Sequence, residues 1–571
     1  MLDRTTKFKD LREMLNNTCK NYGNRPAFYV DGNNLENSKI ITYKEYQNNI
    51  NSLGTALIEM GLKGKRIAVI GENRYEWEVA YLAICCGTGV VVPLDKALPA
   101  NEIESLIVRS EVEAIFYSKK YDEIMNEIQK KGNTRLKYFI SMDLEKNDFN
   151  KFSQKEITEK GKELIENGNK DFIESKIDNQ EMSIMLFTSG TTNMSKAVML
   201  SHRNICTNIL DIRAVFDLDE TDRFLSFLPL HHTFECTVGY LYPLSIGSAI
   251  VFSKGVRHIA EELKSFKITA MICVPIMCEM MYDKLMKAIA AQGKLNTVKK
   301  GIKISNALLK VGIDIRKKLF KEIHENFGGY LKVMVAGGAP FSPEKEKGFW
   351  DLGINVLQGY GLTETSPVIA AETTNVKKIG TIGKKMNSVT VKIDEPNENG
   401  VGELLVKGES VMLGYFNNDE ANKETFTEDG WMRTGDLAKI DKDGFIVLSG
   451  RKKFVIVLKN GKNVYPEEIE ALIEKSNMVK ECMVFGTPEE DGDVLLSVKV
   501  VYDKENVKEE LGEVSQEQIR AVIWSWIKEV NKTMPKYKYV KKLLLTDEEL
   551  VKTTTLKIKR NVEMEKILSK K

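Results

Sequence analysis

The chain has 571 residues, 42% of them hydrophobic and 29% charged. That length exceeds the roughly 250–300 residues one hydrophobic core can serve, so more than one folding unit is expected of an ordinary globular composition. With 83 Lys and Arg against 81 Asp and Glu, no global field selects nucleic acid as a partner.

The opening Met1-Leu2-Asp3-Arg4-Thr5-Thr6-Lys7 lacks the apolar core of a secretory signal. The most apolar stretch, Val79 to Leu94, is 16 residues long and broken by Gly87 and Gly89. It falls short of the ~20 apolar residues of a spanning helix and reads as a buried helix running into a strand. The eight cysteines include no C-x-x-C pair and none grouped with His at metal-ligand spacing. They are expected as free, buried thiols in a reducing compartment, the cytoplasm.

In chain order, Ser52 to Met60 predicts an amphipathic helix and Arg66 to Ile70 a strand. Glu76 to Cys86 predicts a helix, Val90 to Leu94 a strand, Ala100 to Ser110 a helix and Ala114 to Tyr117 a strand. This β-α-β-α order argues for a mostly parallel sheet covered by helices on both faces. The alternation resumes with a strand at Ala249 to Phe252, a helix at Ile259 to Phe266 and a strand at Ile268 to Cys273. A long Lys-rich helical stretch over 281–329 leads into the strand Leu331 to Ala336, closed by Gly337-Gly338-Ala339-Pro340. From about 378, short strands such as Val389 to Ile393 and Glu403 to Lys407 alternate with Gly and Asp/Asn turns, a small β-rich layer. The last ~120 residues have the size and pattern of a separate α+β domain.

The run Phe187-Thr188-Ser189-Gly190-Thr191-Thr192-Asn193-Met194-Ser195-Lys196 follows an apolar strand-like segment. Small residues let backbone N–H groups approach phosphate oxygens, hydroxyls add donors, and Lys supplies a mobile charge. Taken alone, such a loop fits a surface connection equally well. Four further motifs follow in order: Gln358-Gly359-Tyr360-Gly361-Leu362-Thr363-Glu364, Gly430-Trp431-Met432-Arg433-Thr434-Gly435-Asp436, Gly450-Arg451-Lys452-Lys453 and Thr555-Leu556-Lys557-Ile558-Lys559-Arg560.

Together, at these separations, the motifs resemble the AMP-forming, adenylate-forming synthetases, from Tyr43 to Arg560. Within that superfamily Leu228-Pro229-Leu230-His231-His232-Thr233-Phe234-Glu235, the long helical insertion and the Thr-Leu-Lys-Ile-Lys-Arg ending are most similar to long-chain fatty acid–CoA ligases. The resemblance implies an α/β fold with a large N-terminal ATP- and acyl-binding domain over 1–449. A hinge at 450–453 and a small mobile C-terminal domain over 454–571 complete the implied organisation.

The implied reaction activates a carboxylic acid, in first place a medium- or long-chain fatty acid, through acyl-AMP to an acyl-CoA thioester. AMP and pyrophosphate are released; the cofactors are ATP, Mg²⁺ and coenzyme A. By resemblance, Thr188, Ser189, Gly190, Thr191, Thr192 and Lys196 cradle phosphates, and Glu364 with Thr191 holds Mg²⁺. Tyr360 stacks on adenine, with Gly361 and Thr363 in the same motif and Gly337-Gly338-Ala339 closing over the ring. Asp436 and Arg451 hold the ribose, and His232 lies beside the substrate carboxylate with His231 its less constrained neighbour. Lys557 bridges carboxylate and α-phosphate, with Lys552 and Lys559 as nearby competitors. Lys453 is the pivot, and Gly461 lets the pantetheine arm pass. An apolar acyl pocket is expected from 224–250 and from Met271, Ile272, Val274, Ile276, Met277 and Met280.

The chain departs from the family's Thr-Gly-x-Pro-Lys-Gly loop ending at Asn193, Ser195 and Ala197. Ser195 for Pro is expected to cost rigidity. Three other readings stay open: an acyl carrier protein as acceptor, another acid class as substrate, and a non-catalytic nucleotide- or lipid-binding scaffold. Membrane contact is expected to be peripheral at most. There is no G-x-x-x-x-G-K-S/T, H-E-x-x-H or G-x-S-x-G to support a P-loop NTPase, a metalloprotease or a serine hydrolase.

Overall fold

A computed structural model describes residues 6–188, 195–459, 462–488, 494–553 and 557–569. The chain forms two compact units, Met1–Thr390 with Val406–Met432, and Val391–Leu405 with Arg433–Lys571.

Among the described residues the first unit holds two large sheets. In the nine-stranded sheet, Val356–Gly361, Val333–Gly337, Ala270–Cys273, Arg223–Ser226, Ala249–Phe252 and Pro26–Val30 run parallel, with antiparallel strands at both edges. The eight-stranded sheet has Met182–Thr188, Val90–Pro93, Arg66–Ile70, Ala114–Tyr117, Tyr138–Ser141 and Phe152–Ser153 in parallel, with Lys196–Ser201 and Gly414–Tyr415 antiparallel at one edge. Most of the central parallel strands are buried on both faces, which is why they read as continuous apolar runs rather than alternating ones.

Two helical expectations needed correction. The helix expected from Ser52 begins at Tyr43 and runs to Glu59, opened by a capping box in which Thr42 and Glu45 satisfy each other's backbone donors. The stretch 281–329 is broken into Pro275–Ala291, Leu295–Leu309, Arg316–Leu319 and Lys321–Asn326, with left-handed Gly293 and Gly312 at two of the breaks. These helices pack Leu285, Ile289, Phe320, Ile323 and Phe327 onto a core formed with Met271, Met334 and Phe349.

The second unit carries a four-stranded sheet, Val389–Asp394, Gly402–Gly408, Met432–Ile440 and Ile446–Arg451, whose outer residues alone reach the first unit's bounds. It also carries a three-stranded sheet, Val479–Pro488, Val494–Tyr502 and Lys542–Thr546, backed by the helix Gln516–Lys532 around Ile523, Ile527, Val498 and Val500. The small β-rich layer therefore groups with the C-terminal residues, tied by Arg433–Asp394 at 3.0 Å and Lys452–Glu403 at 2.8 Å. No helix among the described residues is long and apolar enough to cross a membrane.

Candidate active site

In the first unit, several segments meet beyond the carboxyl ends of the parallel strands, where open α/β sheets place their ligands. Gly337 and Gly359 sit opposite each other in register. The segment after Arg223–Ser226 turns through Pro229 into His231 and His232, held by Asn73, whose Nδ2 donates to Ser226 Oγ (2.9 Å) and to the Leu228 carbonyl (2.6 Å). His232 Nδ1 accepts the Phe234 backbone N–H at 3.2 Å. An acceptor nitrogen carries no proton, so the neutral ring presents its hydrogen on Nε2. His231 Nε2 lies 3.5 Å from Asp95 Oδ1. Thr233 Oγ1 donates to Thr363 Oγ1 at 3.5 Å, joining the histidine segment to the Tyr360–Glu364 motif.

Glycines shape this edge. A Cβ on Gly337 would stand 3.1 Å from the Phe234 ring and 3.1 Å from the Gly359 carbonyl, so the two motifs pack through its missing side chain. Gly338 has φ +86° with open space beside it, a conformation that favours Gly and exposes backbone to a ligand. Ala339 is exposed beside it. Tyr360 is 9% exposed, on the strand Val356–Gly361, and a side chain on Gly361 would strike the Pro367 carbonyl.

Lys196, Tyr415 and Glu364 form a second corner. Strand pairing sets Tyr415 opposite Val198, two residues from Lys196. The Lys196 ammonium lies 4.9 Å from the centre of the Tyr415 ring, a cation–π contact. The Tyr415 hydroxyl donates to Glu364 Oε1 at 2.8 Å, and the Met412 N–H donates to the Glu364 carbonyl at 2.8 Å. Asn422 clamps Tyr415 from behind, accepting from its N–H (2.7 Å) and donating to its carbonyl (3.0 Å). Tyr415 was absent from the sequence reading, since nothing local marks a Gly-Tyr pair far from both partners. Glu364 keeps a second carboxylate oxygen, a hard donor of the kind Mg²⁺ takes.

Thr188 pairs with Lys196 in register; Ser189, Gly190, Thr191, Thr192 and Asn193 lie outside the described residues, as does Gly461. The rigidity expected to be lost at Ser195 is met from elsewhere, because the Arg109 guanidinium donates to both the hydroxyl and the carbonyl of Ser195. Of the residues expected around the acyl chain, Met271 and Ile272 are core (1% exposed each), whereas Ile276 and Met280 are 42% and 63% exposed.

In the second unit, Asp436 and Arg451 lie opposite each other in antiparallel register, with Arg451 Nε 2.7 Å from Asp436 Oδ1. Lys453 Nζ is 4.5 Å from the Phe454 ring centre. Lys557 is exposed; the Thr553 N–H donates to its carbonyl (2.8 Å) and its own N–H donates to Thr553 Oγ1 (3.1 Å). Its competitor Lys552 is committed to Glu481 at 2.7 Å, and Lys559 is exposed.

Sequence reasoning also missed two carboxyls beneath the histidine segment. Glu78 and Glu235 are both 0% exposed. Burial pushes the Glu235 carboxyl up to about 8, against the Ser226 hydroxyl, the Leu228 N–H and the Lys96 ammonium. Burial and the neighbouring Glu235 raise Glu78 well above the carboxylate range.

Parallel sheets with glycine-edged loops, a lysine and a carboxylate at their carboxyl ends define a nucleotide-binding class of α/β enzyme. Residues 15–416 match the family described as AMP-binding enzyme, and residues 453–567 match the AMP-binding enzyme C-terminal domain. The chain belongs to the AMP-binding enzyme family. It is 26% identical to the long-chain-fatty-acid–acyl-carrier-protein ligase AEE15, chloroplastic, of Arabidopsis thaliana, over 99% of this chain and 86% of that protein. It is likewise 26% identical to the long-chain-fatty-acid–CoA ligase FadD15 of Mycobacterium bovis, over 93% of this chain and 91% of that one. Among solved structures, ATP-bound MatB from Rhodopseudomonas palustris superposes with a TM-score of 0.76 at 22% identity, covering 98% of each chain.

Proposed function

We propose that the protein uses ATP to activate a medium- or long-chain fatty acid, forming acyl-AMP and then an acyl-CoA thioester. The observation carrying this reading is the convergence of Lys196, Tyr415 and Glu364 on one side and His232, Thr233 and Thr363 on the other, segments contributed by both large sheets. The names of the relatives support the acid class: one is a fatty acid–CoA ligase and one a fatty acid–acyl-carrier-protein ligase.

In the first half-reaction a carboxylate oxygen attacks the α-phosphorus and the P–O bond to pyrophosphate breaks. Two anions must meet, so the protein's work is charge neutralisation and alignment. Lys196 supplies mobile positive charge to the phosphates, and His232 offers an Nε2–H donor to the incoming carboxylate. Glu364, oriented by Tyr415, is the residue that would hold Mg²⁺; the bound ion would screen the phosphate charge. Gly338 and Ala339 offer exposed backbone to the adenine, which we assign to Tyr360 for stacking, and Asp436 with Arg451 is assigned to the ribose. Lys557 is assigned to adenylation, and Lys453 to the pivot through which thioester formation follows with a different face of the second unit. The eight free cysteines support a reducing compartment, the cytoplasm.

Pyrophosphate release with ATP, Mg²⁺ and a panel of carboxylic acids from short to long chain, with and without CoA, tests the reading. Release that requires a long-chain acid and turns over with CoA is expected. A single burst unaffected by CoA but released by an acyl carrier protein would identify the carrier as acceptor, and no release with any acid would overturn the reading.

A further inference from the structure

Within the helical insertion between Cys273 and Val333, residues 294–321 include none of the residues assigned to the site, yet they are unusually basic. Residues 294–321 hold nine Lys and Arg against one acid, Asp314, a surplus of eight in a chain whose whole surplus is +2. The three basic residues nearest to acids are already engaged: Lys294 with Glu322 at 2.8 Å, Lys321 with Glu325 at 3.7 Å, and Arg316 with Asp314. Arg316 also turns inward, its guanidinium 4.5 Å from the Trp350 ring centre. The other six, Lys299, Lys300, Lys303, Lys310, Lys317 and Lys318, are exposed, and among the described residues none makes an ion pair.

The same surface carries aliphatic side chains that solvent does not favour. Ile304 is 57% exposed, Val311 71%, Ile313 51% and Leu319 44%. At 3.6 residues per turn, Lys299, Lys303, Ala307, Lys300 and Ile304 fall within an arc of about 140° on the helix Leu295–Leu309. Leu295, Val298, Ile302 and Ser305 lie on the opposite arc, where Leu295, Val298 and Ile302 pack on the core. The outward arc is held in place: a Cβ on Gly301 would stand 3.2 Å from the Phe320 ring and 3.4 Å from Leu319 Cδ2, so the helix rests against the next one at its missing side chain. Leu319 therefore adjoins Gly301, with Ile304 one turn further along.

We propose that this face, from Lys299 to Leu319, docks the protein on an anionic lipid bilayer. Exposed lysines interspersed with exposed aliphatics along this segment match a bilayer interface in both respects: lipid phosphates for the ammonium groups and the acyl boundary for Ile304, Val311, Ile313 and Leu319. A nucleic-acid backbone would satisfy the lysines alone, leaving the aliphatics without a complement. The inference does not depend on the acid substrate, because docking needs neither ATP nor turnover.

Co-sedimentation of the full chain with vesicles of phosphatidylcholine, alone or doped with phosphatidylglycerol, tests it. Binding is expected only with phosphatidylglycerol present and should weaken with salt. Each basic residue near an anionic leaflet strengthens binding about fivefold, so Lys299→Glu, Lys300→Glu and Lys303→Glu together should weaken it on the order of 100-fold. Ile304→Ser with Val311→Ser should weaken it at every salt concentration. All five positions are exposed, so melting temperature and pyrophosphate release with a dissolved acid should stay at wild-type values, separating lost docking from lost folding. Failure to bind doped vesicles, or equal binding by wild type and the triple variant, would overturn the proposal. So would tight binding to duplex DNA or RNA that Ile304→Ser with Val311→Ser leaves unchanged while vesicles are ignored.

Discussion

Replacing Glu235 with Gln should change how stability depends on pH rather than merely lower it. In the unfolded chain this carboxyl releases its proton near the ordinary value of 4.5, and in the fold near 8. Between those values the folded protein holds a proton that the unfolded chain has lost, so stability falls as pH rises, by about 1.4 kcal/mol per pH unit. Below about pH 4.5 the group contributes nothing; by about pH 8 the accumulated loss approaches ~5 kcal/mol. Gln keeps the shape and the neutral state but cannot ionise, and removing the charge also relieves Glu78, which Glu235 pushes up. The variant should match the wild type near pH 5 and exceed it progressively towards pH 8, with the gain levelling above that. Urea unfolding followed by tryptophan fluorescence across this range measures the difference. An offset that stays constant with pH would refute the reasoning, because it would mean that Glu235 is already ionised in the fold.

Three further outcomes follow from geometry. Tyr415→Phe keeps the ring under Lys196 but removes the hydroxyl from Glu364; a hydrogen bond to a charged group contributes roughly 1.5–3 kcal/mol, so kcat/KM for ATP should fall about 10- to 100-fold, and an unchanged value would detach Tyr415 from the site. Lys557→Ala should reduce acyl-AMP formation on the order of 100-fold or more while sparing thioester formation from supplied acyl-AMP, and equal loss of both half-reactions would remove Lys557 from adenylation. Lys377 is 6% exposed between Glu346 (3.4 Å) and Glu372 (3.8 Å), both fully buried; Lys377→Met removes the positive partner of this buried cluster and should cost about 3–5 kcal/mol, seen as a lower Tm, whereas an unchanged Tm would refute the coupling.

The strands of the parallel sheets were legible because burial on both faces leaves an apolar run with sharp ends. Arg66–Ile70, Ala114–Tyr117 and Ala249–Phe252 fall where the sequence predicts them, as does the helix Ala100–Ser110. The start at Tyr43 was missed although Thr42 and Glu45 spell a capping box, because the polar surface of that helix hides its period. The unit boundary was less legible: Val391–Leu405 joins residues beyond Arg433 through sheet pairing, which no local composition reports. Motif residues such as Glu364 and Asp436 came from resemblance, and their partners divide by distance along the chain. Arg451 sits in a motif of its own, whereas Tyr415, Arg109 and Asn73 act through contacts made between segments far apart in sequence. The burial of Glu78 and Glu235 was not legible, because a carboxyl in sequence reads as surface until its surroundings are known.

Tyr415 has one consequence beyond holding Glu364 in place. Its ring face meets the Lys196 ammonium and its hydroxyl meets the Glu364 carboxylate, so two opposite charges share a neutral aromatic body without forming an ion pair. A direct Lys–Glu bridge would be a resting state that an arriving nucleotide had first to break. The phenol acts as an insulating spacer: each charge is oriented, yet neither is spent on the other. In the function proposed above, such a corner would meet a polyanion and its counter-ion with both charges already oriented, without rearrangement on arrival.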